Sequence, residues 1–320
     1  MTWRRAVLMG DPSHFSVKGG ANPHTRTRLG TKRTVDRALA IQQWTKLRDA
    51  LRDHGARVIV VPPDPGQPGL VYPANAGVLP FVDAEKKLSE KIFYLSNLIA
   101  TRAGERVHYD RVLRSNGLRT ALVPEHLRFE GEADFFPVGD SYLLTHGRLE
   151  QQRFVPHLGM PPWKRVYGFR TDAQVESFLA PLVAPRRVVR VELVLEAHYH
   201  GDTALCAFGP HRQHLLAWRP ALAPESFARL AEAVGHHSLI ELSDEDAACY
   251  AANSFSFSPS TDSAARESLL FMPAGVSDRL VAQVMERGVT PVRVDVSEFL
   301  KKGGGSVKCM IGDLGLFERT

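Results

Sequence analysis

Cys309 follows three consecutive glycines, Gly303 to Gly305, close to the end of a 320-residue chain. At neutral pH a cysteine is mostly thiol, and it becomes a nucleophile where a positive charge stands close by. Glycines ahead of it let the main chain approach a ligand. Three other short stretches hold matching groups: Asn75 in VYPANAG, the acidic set Glu130, Glu132 and Asp134 in FEGEADFF, and His198, His200 and Asp202 in HYHGDT. A histidine can protonate a departing amine and later activate water. A carboxylate beside it fixes its orientation and raises its basicity. A second carboxylate can accept two parallel hydrogen bonds from the edge of a planar cation such as a guanidinium. That cation would itself supply the charge the thiol needs. His198, His200 and Asp202 could ligate a metal, but no Cys or His pair elsewhere has zinc spacing, so no metal is expected. Cys206 and Cys249 lie in apolar stretches read as strands, and they read as core residues.

These groups must be positioned by a repeated unit. Five short β-branched or leucine-rich segments look alike: RVIVVPP, RTALVPE, RVVRVELV, HSLIELS and PVRVDVS. A helix is predicted before each, over residues 34–54, 105–116, 172–184, 224–234 and 277–287. Glycine follows four of them, at Gly55, Gly117, Gly235 and Gly288. The predicted core-facing stripes include Val107 in the second helix and Met285 in the last. Strand pairs precede three of the helices: ADFFPVGD with SYLLTHG, TALCAFGP with HLLAW, and AANSFSFS with LLFMPA. The unit is therefore strand, strand, helix, strand, and five copies suggest a ring whose last strand closes against the first unit. The four polar stretches stand where units begin or where the ring closes. Residues 83–105 depart from this pattern and residues 148–166 look inserted; both are read as solvated loops, with a lid or a contact surface as the alternatives.

Bulk properties narrow the function further. Net charge is +5, but the basic residues are scattered, without a like-charge block or zinc-finger spacing, so no nucleic-acid partner is expected. Three cysteines make no disulfide framework and fit a reducing compartment. There is no signal-peptide pattern and no apolar run long enough to span a membrane, so a cytoplasmic protein without a membrane partner is expected. Neither GxGxxG after a strand nor GxxxxGK[ST] occurs, which leaves nucleotide binding unsupported. No oligomeric state is read from the sequence.

Taken together, SHFSV…NP, ANAG, FEGEAD, YGFRTD, YHGDT and DVSEFLKKGGGSVKC resemble, in order and over nearly the whole chain, the landmarks of the pentein superfamily of guanidine-modifying enzymes. The resemblance implies one α/β domain over residues 1–320, a five-bladed propeller of ββαβ units. It implies Cys309 as nucleophile, His200 rather than His198 as the acid–base, and Asp202 as a guanidinium-binding carboxylate. The acidic motif implies a glutamate partner for the histidine, either Glu130 or Glu132, with Asp134 at its last, substrate-side position. Arg170 resembles an arginine near the substrate's carboxylate end. Gly201 stands where the family usually has leucine, which should loosen a strand. Asn75 stands where deiminases and amidinotransferases carry aspartate and arginine dihydrolases carry asparagine. An amide offers one acceptor and two donors, so it could hold a guanidinium and then a ureido oxygen.

The expected activity is hydrolysis of a guanidino C–N bond of arginine or a close derivative through a covalent thiouronium, in two rounds to ornithine, with no cofactor. Amidino transfer to an amine, dimethylarginine hydrolysis and a non-catalytic binding propeller are the rival expectations.

Overall fold

The computed structural model describes residues 3–17, 24, 33–149, 153–157, 160–258 and 267–318. In chain order, β1 (Trp3–Gly10), α1 (Arg37–Asp53) and β2 (Arg57–Val61) come first. Then follow β3 (Gly77–Val78), β4 (Ile92–Leu95), α2 (Arg106–Ser115) and β5 (Arg119–Leu122). The next unit is β6 (Phe135–Val138), β7 (Ser141–His146), the inserted hairpin β8 (Arg153–His157) and β9 (Met160–Val166), α3 (Glu176–Val183) and β10 (Arg187–Glu192). After it come β11 (Leu205–Phe208), β12 (His214–Ala217), α4 (Pro224–Val234) and β13 (Leu239–Glu241). The chain ends with α5 (Asp244–Ala248), β14 (Phe255–Phe257), β15 (Leu269–Pro273), α6 (Asp278–Met285), β16 (Thr290–Val294), α7 (Ser297–Gly303) and β17 (Gly312–Glu318).

Five three-stranded sheets result, in the orders β3-β4-β5, β6-β7-β10, β11-β12-β13, β14-β15-β16 and β17-β1-β2. In each, the first strand runs antiparallel to the second and the third runs parallel to it. A parallel neighbour needs a crossover, which is why a helix stands between second and third strands every time. The fifth sheet joins the two ends of the chain: Trp3 pairs with Glu318 and Leu8 with Gly312.

Burial falls across each sheet. The first strands β6, β11 and β14 are buried at every residue, whereas the third strands β5, β10 and β16 are mostly part-exposed. The charged, alternating segments most legible as strands are thus these outer ones. Five apolar clusters fill the spaces between sheets. Each joins one sheet to the next, and the cluster of Ala6, Leu8, Ile59, Phe93 and Leu95 joins the fifth sheet to the first.

The expected helices form with small shifts. The first starts at Arg37 because the Asp36 carboxylate caps it, accepting from the Leu39 amide at 3.1 Å. Val107 and Met285, predicted to face the core, face solvent, because Tyr109, Val112 and Leu113 bury α2, and Leu280 and Val284 bury α6. Residues 83–105 are no solvated loop, since they contain β4, the central strand of its sheet, and the buried Lys91 and Glu105. Residues 153–166 carry the hairpin β8–β9 in place of the expected loop.

Candidate active site

Asn75, the acidic motif, His200, Asp202 and Cys309 sit in or beside tight turns directly before the first strands of sheets, whereas Arg170 lies ahead of α3. The 3₁₀ turns Pro73–Asn75, Gly131–Ala133, Gly201–Thr203 and Lys308–Met310 precede β3, β6, β11 and β17. The turn Tyr250–Ser254 precedes β14 in the same way. Since the first strands are the most buried, the turns that feed them carry polar side chains into the interior. There, Asn75, Glu130, His200, Arg170 and Cys309 line one cavity of about 350 Å3.

The Cys309 thiol is held from two sides. Its Sγ lies 3.3 Å from Asp202 Oδ2 and accepts from Asn253 Nδ2 at 3.2 Å. Asn253 also fixes the loop: its Oδ1 accepts from the amides of Ser306 and Cys309 at 2.9 and 3.1 Å. Burial first, then the Asp202 charge, push the thiol well above its ordinary range, against the Asn253 hydrogen bond. Burial likewise raises the Asp202 carboxyl to about 6. Asp202 Oδ1 is buried without a hydrogen-bond partner. Asp202 does not border the larger cavity; with Lys308 it borders a second space of about 30 Å3.

The imidazole of His200 is gripped at both nitrogens. Nδ1 lies 2.9 Å from Asp134 Oδ2, and Nε2 lies 3.2 Å from Glu130 Oε2. Burial opposes the charged ring, but Asp134 and Glu130 outweigh it and raise the histidine to about 9. Burial also opposes the Glu130 charge; the His200 hydrogen bond and charge win and lower that carboxyl to about 2.

The acidic motif divides by direction. Glu130 faces the cavity and His200. Glu132 turns away, to Lys308 Nζ at 2.6 Å and the Asp313 amide at 2.7 Å. Asp134, expected on the substrate side, stands behind the imidazole. Its oxygens accept from Thr145 Oγ1 and Thr171 Oγ1, both at 2.7 Å, and from the Gly201 amide at 2.9 Å, which leaves it no capacity for a ligand. Gly201 lies in the turn, not in a strand. A Cβ there would stand 2.1 Å from Thr145 Oγ1, so glycine permits the Thr145–Asp134 contact. Asn75 lines the cavity, but its Oδ1 already accepts from Arg102 Nη1 at 2.7 Å, so the acceptor expected to meet a ligand is taken. Arg170 packs over the Tyr199 ring at 5.0 Å.

The glycine run is explained by Tyr72, whose hydroxyl would stand 1.9 Å from a Cβ at Gly303 and whose ring would stand 2.6 Å from one at Gly305. Gly304 caps α7 with φ +80°. His198 is spoken for elsewhere: its Nδ1 lies 2.9 Å from the Thr203 carbonyl and its ring stacks on Tyr250. Burial holds it down at about 4. Cys206 is buried in β11, whereas Cys249 is half-buried at the end of α5 rather than in a strand. Sequence reasoning missed Asn253, Arg102 and Glu105. The signal for Asn253 was present, since Ala252-Asn253 repeats the Ala74-Asn75 pair at the start of another unit. Arg102 and Glu105 fall in the stretch that broke the repeat.

Fold and site together define an α/β protein with a cysteine–histidine–carboxylate centre built at the starts of repeated units. Residues 227–316 match the family described as N,N dimethylarginine dimethylhydrolase, eukaryotic. The bifunctional arginine dihydrolase/ornithine cyclodeaminase AgrE of Nostoc sp. is 28% identical over 97% of this chain, which spans 38% of that protein. The N(G),N(G)-dimethylarginine dimethylaminohydrolase of Mycobacterium tuberculosis is 29% identical over 95% of this chain and 84% of its own length. Among solved structures, the binary complex of an AgrE mutant with L-arginine superposes with TM-score 0.79 at 25% identity, covering 99% of this chain and 41% of that one. Over nearly its whole length the chain is thus similar to proteins named arginine dihydrolase and dimethylarginine dimethylaminohydrolase. It spans about two fifths of the cyanobacterial bifunctional relatives it matches. Among the described residues, no helix is long and apolar enough to cross a membrane.

Proposed function

We propose that the chain is a single domain, a closed five-bladed α/β propeller, that hydrolyses the guanidino C–N bond of arginine or a close derivative through a covalent thiouronium on Cys309. The observation that carries this reading is the convergence of Cys309, His200, Glu130 and Asn75 on one cavity, with Asp202 against the sulfur. The propeller reading rests on the β17–β1 pairing and on apolar clusters that join every sheet to the next, the fifth to the first included.

In the resting site the sulfur is protonated and lies beside a carboxylate. A guanidinium brings the missing positive charge, which favours the ionised Asp202 and the thiolate, whose proton passes to solvent. Asp202 accepts from the cation's edge, and Glu130, ionised well below neutral pH, accepts from another. Cys309 Sγ attacks the guanidino carbon. His200, charged at neutral pH and held by Asp134, protonates the departing nitrogen, which leaves as ammonia. Neutral His200 then takes a proton from water, which attacks the thiouronium carbon and releases the ureido product with the thiol restored. Arg170, at the cavity wall, pairs with the substrate carboxylate. A second round on the ureido product gives ornithine, carbon dioxide and ammonia. None of these steps requires a cofactor.

The test is incubation of the purified protein with arginine, with ammonia, citrulline and ornithine followed by mass spectrometry. Product from the wild type and none from Cys309→Ser is expected; no product from either would end this reading. Dimethylarginine is a second substrate reading, favoured by the family matched over residues 227–316 and by the mycobacterial relative. Release of dimethylamine from dimethylarginine in preference to ammonia from arginine would establish it.

A further inference from the structure

Asn75 carries one acceptor and two donors, and the end that faces the reacting carbon decides what the residue recognises. The two ends of an amide are told apart by their partners, and here two partners agree. Arg102 can only donate, and its Nη1 lies 2.7 Å from Asn75 Oδ1. The Glu130 carbonyl can only accept, and it lies 3.2 Å from Asn75 Nδ2. The acceptor is therefore turned away from His200 and the donor is turned toward it, with Nδ2 3.4 Å from His200 Nε2. That ring nitrogen already faces Glu130 and the other faces Asp134. An imidazolium with hydrogen on both nitrogens accepts nothing, so one amide N–H is left for a ligand.

Arg102 itself is anchored. Its Nε and Nη2 make a two-pronged contact with Glu105 at 2.8 and 2.7 Å, and Nη2 reaches the Gly69 carbonyl at 3.2 Å. Glu105 is buried, and a Cβ at Gly69 would stand 2.1 Å from its Oε1, so the glycine makes room for the pair.

We infer that Arg102, locked by Glu105, is a specificity-determining positioning residue: it holds the Asn75 carboxamide with N–H toward the reacting carbon, so that the site takes a neutral ureido group as substrate. The inference rests on the proposed guanidino hydrolysis. A guanidinium offers only donors, and Asp202 and Glu130 suffice for it. A ureido group has one carbonyl oxygen, which the Asn75 N–H can hold, and an NH2 that suits Asp202. The Cys309 thiol passes its proton to Asp202 Oδ2, 3.3 Å away, as Sγ attacks the ureido carbon, and takes it back when the S–C bond breaks. The C–NH2 bond breaks, and ammonia leaves with a proton from His200. Water adds to the resulting S-carbamoyl carbon, the S–C bond breaks and the thiol is restored. The released N-carboxy amine loses carbon dioxide to give the free amine.

The experiment supplies the full chain with citrulline alone and with saturating arginine. Ornithine and citrulline are quantified for the wild type, Arg102→Lys and Glu105→Gln. Lysine cannot make the two-pronged contact, and the neutral amide introduced by Glu105→Gln holds Arg102 loosely, so in both the Asn75 carboxamide is free to turn. The wild type is expected to consume citrulline, and each variant to lower the ornithine-to-citrulline ratio by about ten-fold or more, the worth of one hydrogen bond to a charged or polar partner. A fall in total turnover or a rise in KM with the ratio unchanged would leave Arg102 only a binding or structural part and overturn the inference. A wild type that makes citrulline from arginine but ignores citrulline would overturn it too, while guanidino hydrolysis stands. Inertness toward both compounds removes both. Should a variant misfold, Asn75→Asp, which cannot donate, must show the same loss of ratio, and an intact ratio there is equally fatal.

Discussion

Two clusters of polar side chains among the described residues use carboxylates to opposite ends. One surrounds Cys309. The other ties β1 and β17 to neighbouring loops: Arg5 makes two 2.8 Å hydrogen bonds to Asp313 and a third to Asp83, and Arg212 bridges the same two carboxylates. In this second cluster every carboxylate faces two guanidinium groups, and Asp83 is held well below the ordinary carboxylate range because its arginines outweigh its burial. Around Cys309 the balance is incomplete. The thiol and Asp202 are both pushed up, and Asp202 Oδ1 is buried without a partner. A satisfied cluster fastens β1 to β17, whereas the unsatisfied one has unused capacity, on which the proposed binding of a guanidinium rests.

That contrast can be broken in order of effect. Cys309→Ser should remove ammonia release by about a thousand-fold or more while leaving the thermal midpoint within a few degrees, because serine is a far weaker nucleophile of similar shape. Calorimetry beside the activity assay checks both halves. Asp313→Asn should do the reverse. Leaving the buried Arg5 and the half-buried Arg212 short of a carboxylate costs about 3–5 kcal/mol, read by urea unfolding, while activity at low temperature in the surviving folded protein persists.

Asp202→Asn sharpens the comparison further. Its folded carboxyl is raised to about 6 from an ordinary value of 3.8, so the acid form is the one the fold favours. The stability that this preference contributes is present at low pH and is lost as pH rises through about 6. At pH 8 the asparagine variant should therefore be the more stable protein, by on the order of 1–3 kcal/mol, and inactive; a destabilised variant would contradict the reading. For the wild type, kcat/KM should rise through about pH 6 as Asp202 ionises and fall through about pH 9 as His200 loses its proton. Asp134→Asn should move the alkaline limb to lower pH, since it removes a charge that raises the histidine. The smallest effect belongs to the exposed Arg293–Asp278 pair, where Arg293→Ala should shift the midpoint by no more than about 1 °C.

Legibility in the sequence followed the repeat. The outer strands β2, β5, β10, β13 and β16 and the helices before them could be read because a half-buried strand alternates and an amphipathic helix shows its stripe. Strands β3 and β4 could not: the first is two residues long, and the second lies in a stretch rich in lysine and glutamate. The hairpin β8–β9 was hidden by its prolines. Cys309, His200, Asp202 and Asn75 were legible as types standing at unit starts. The choice between Glu130 and Glu132 was not, because a 3₁₀ turn sends residues two apart in different directions, and only coordinates show which one meets the imidazole.

The amino-acid sequence by itself determined five helix–strand repeats, three of them with their leading strand pairs, and the polar residues at their junctions, because local periodicity and turn chemistry are written in neighbouring residues. Tertiary structure alone decided the finer roles. It put Asp134 behind His200, gave Asn253 to the sulfur, and spent the Asn75 acceptor on Arg102. Those assignments depend on hydrogen bonds between groups 27 to 66 positions apart. Distance and direction across such separations are set by how the sheets pack, and no local pattern carries them.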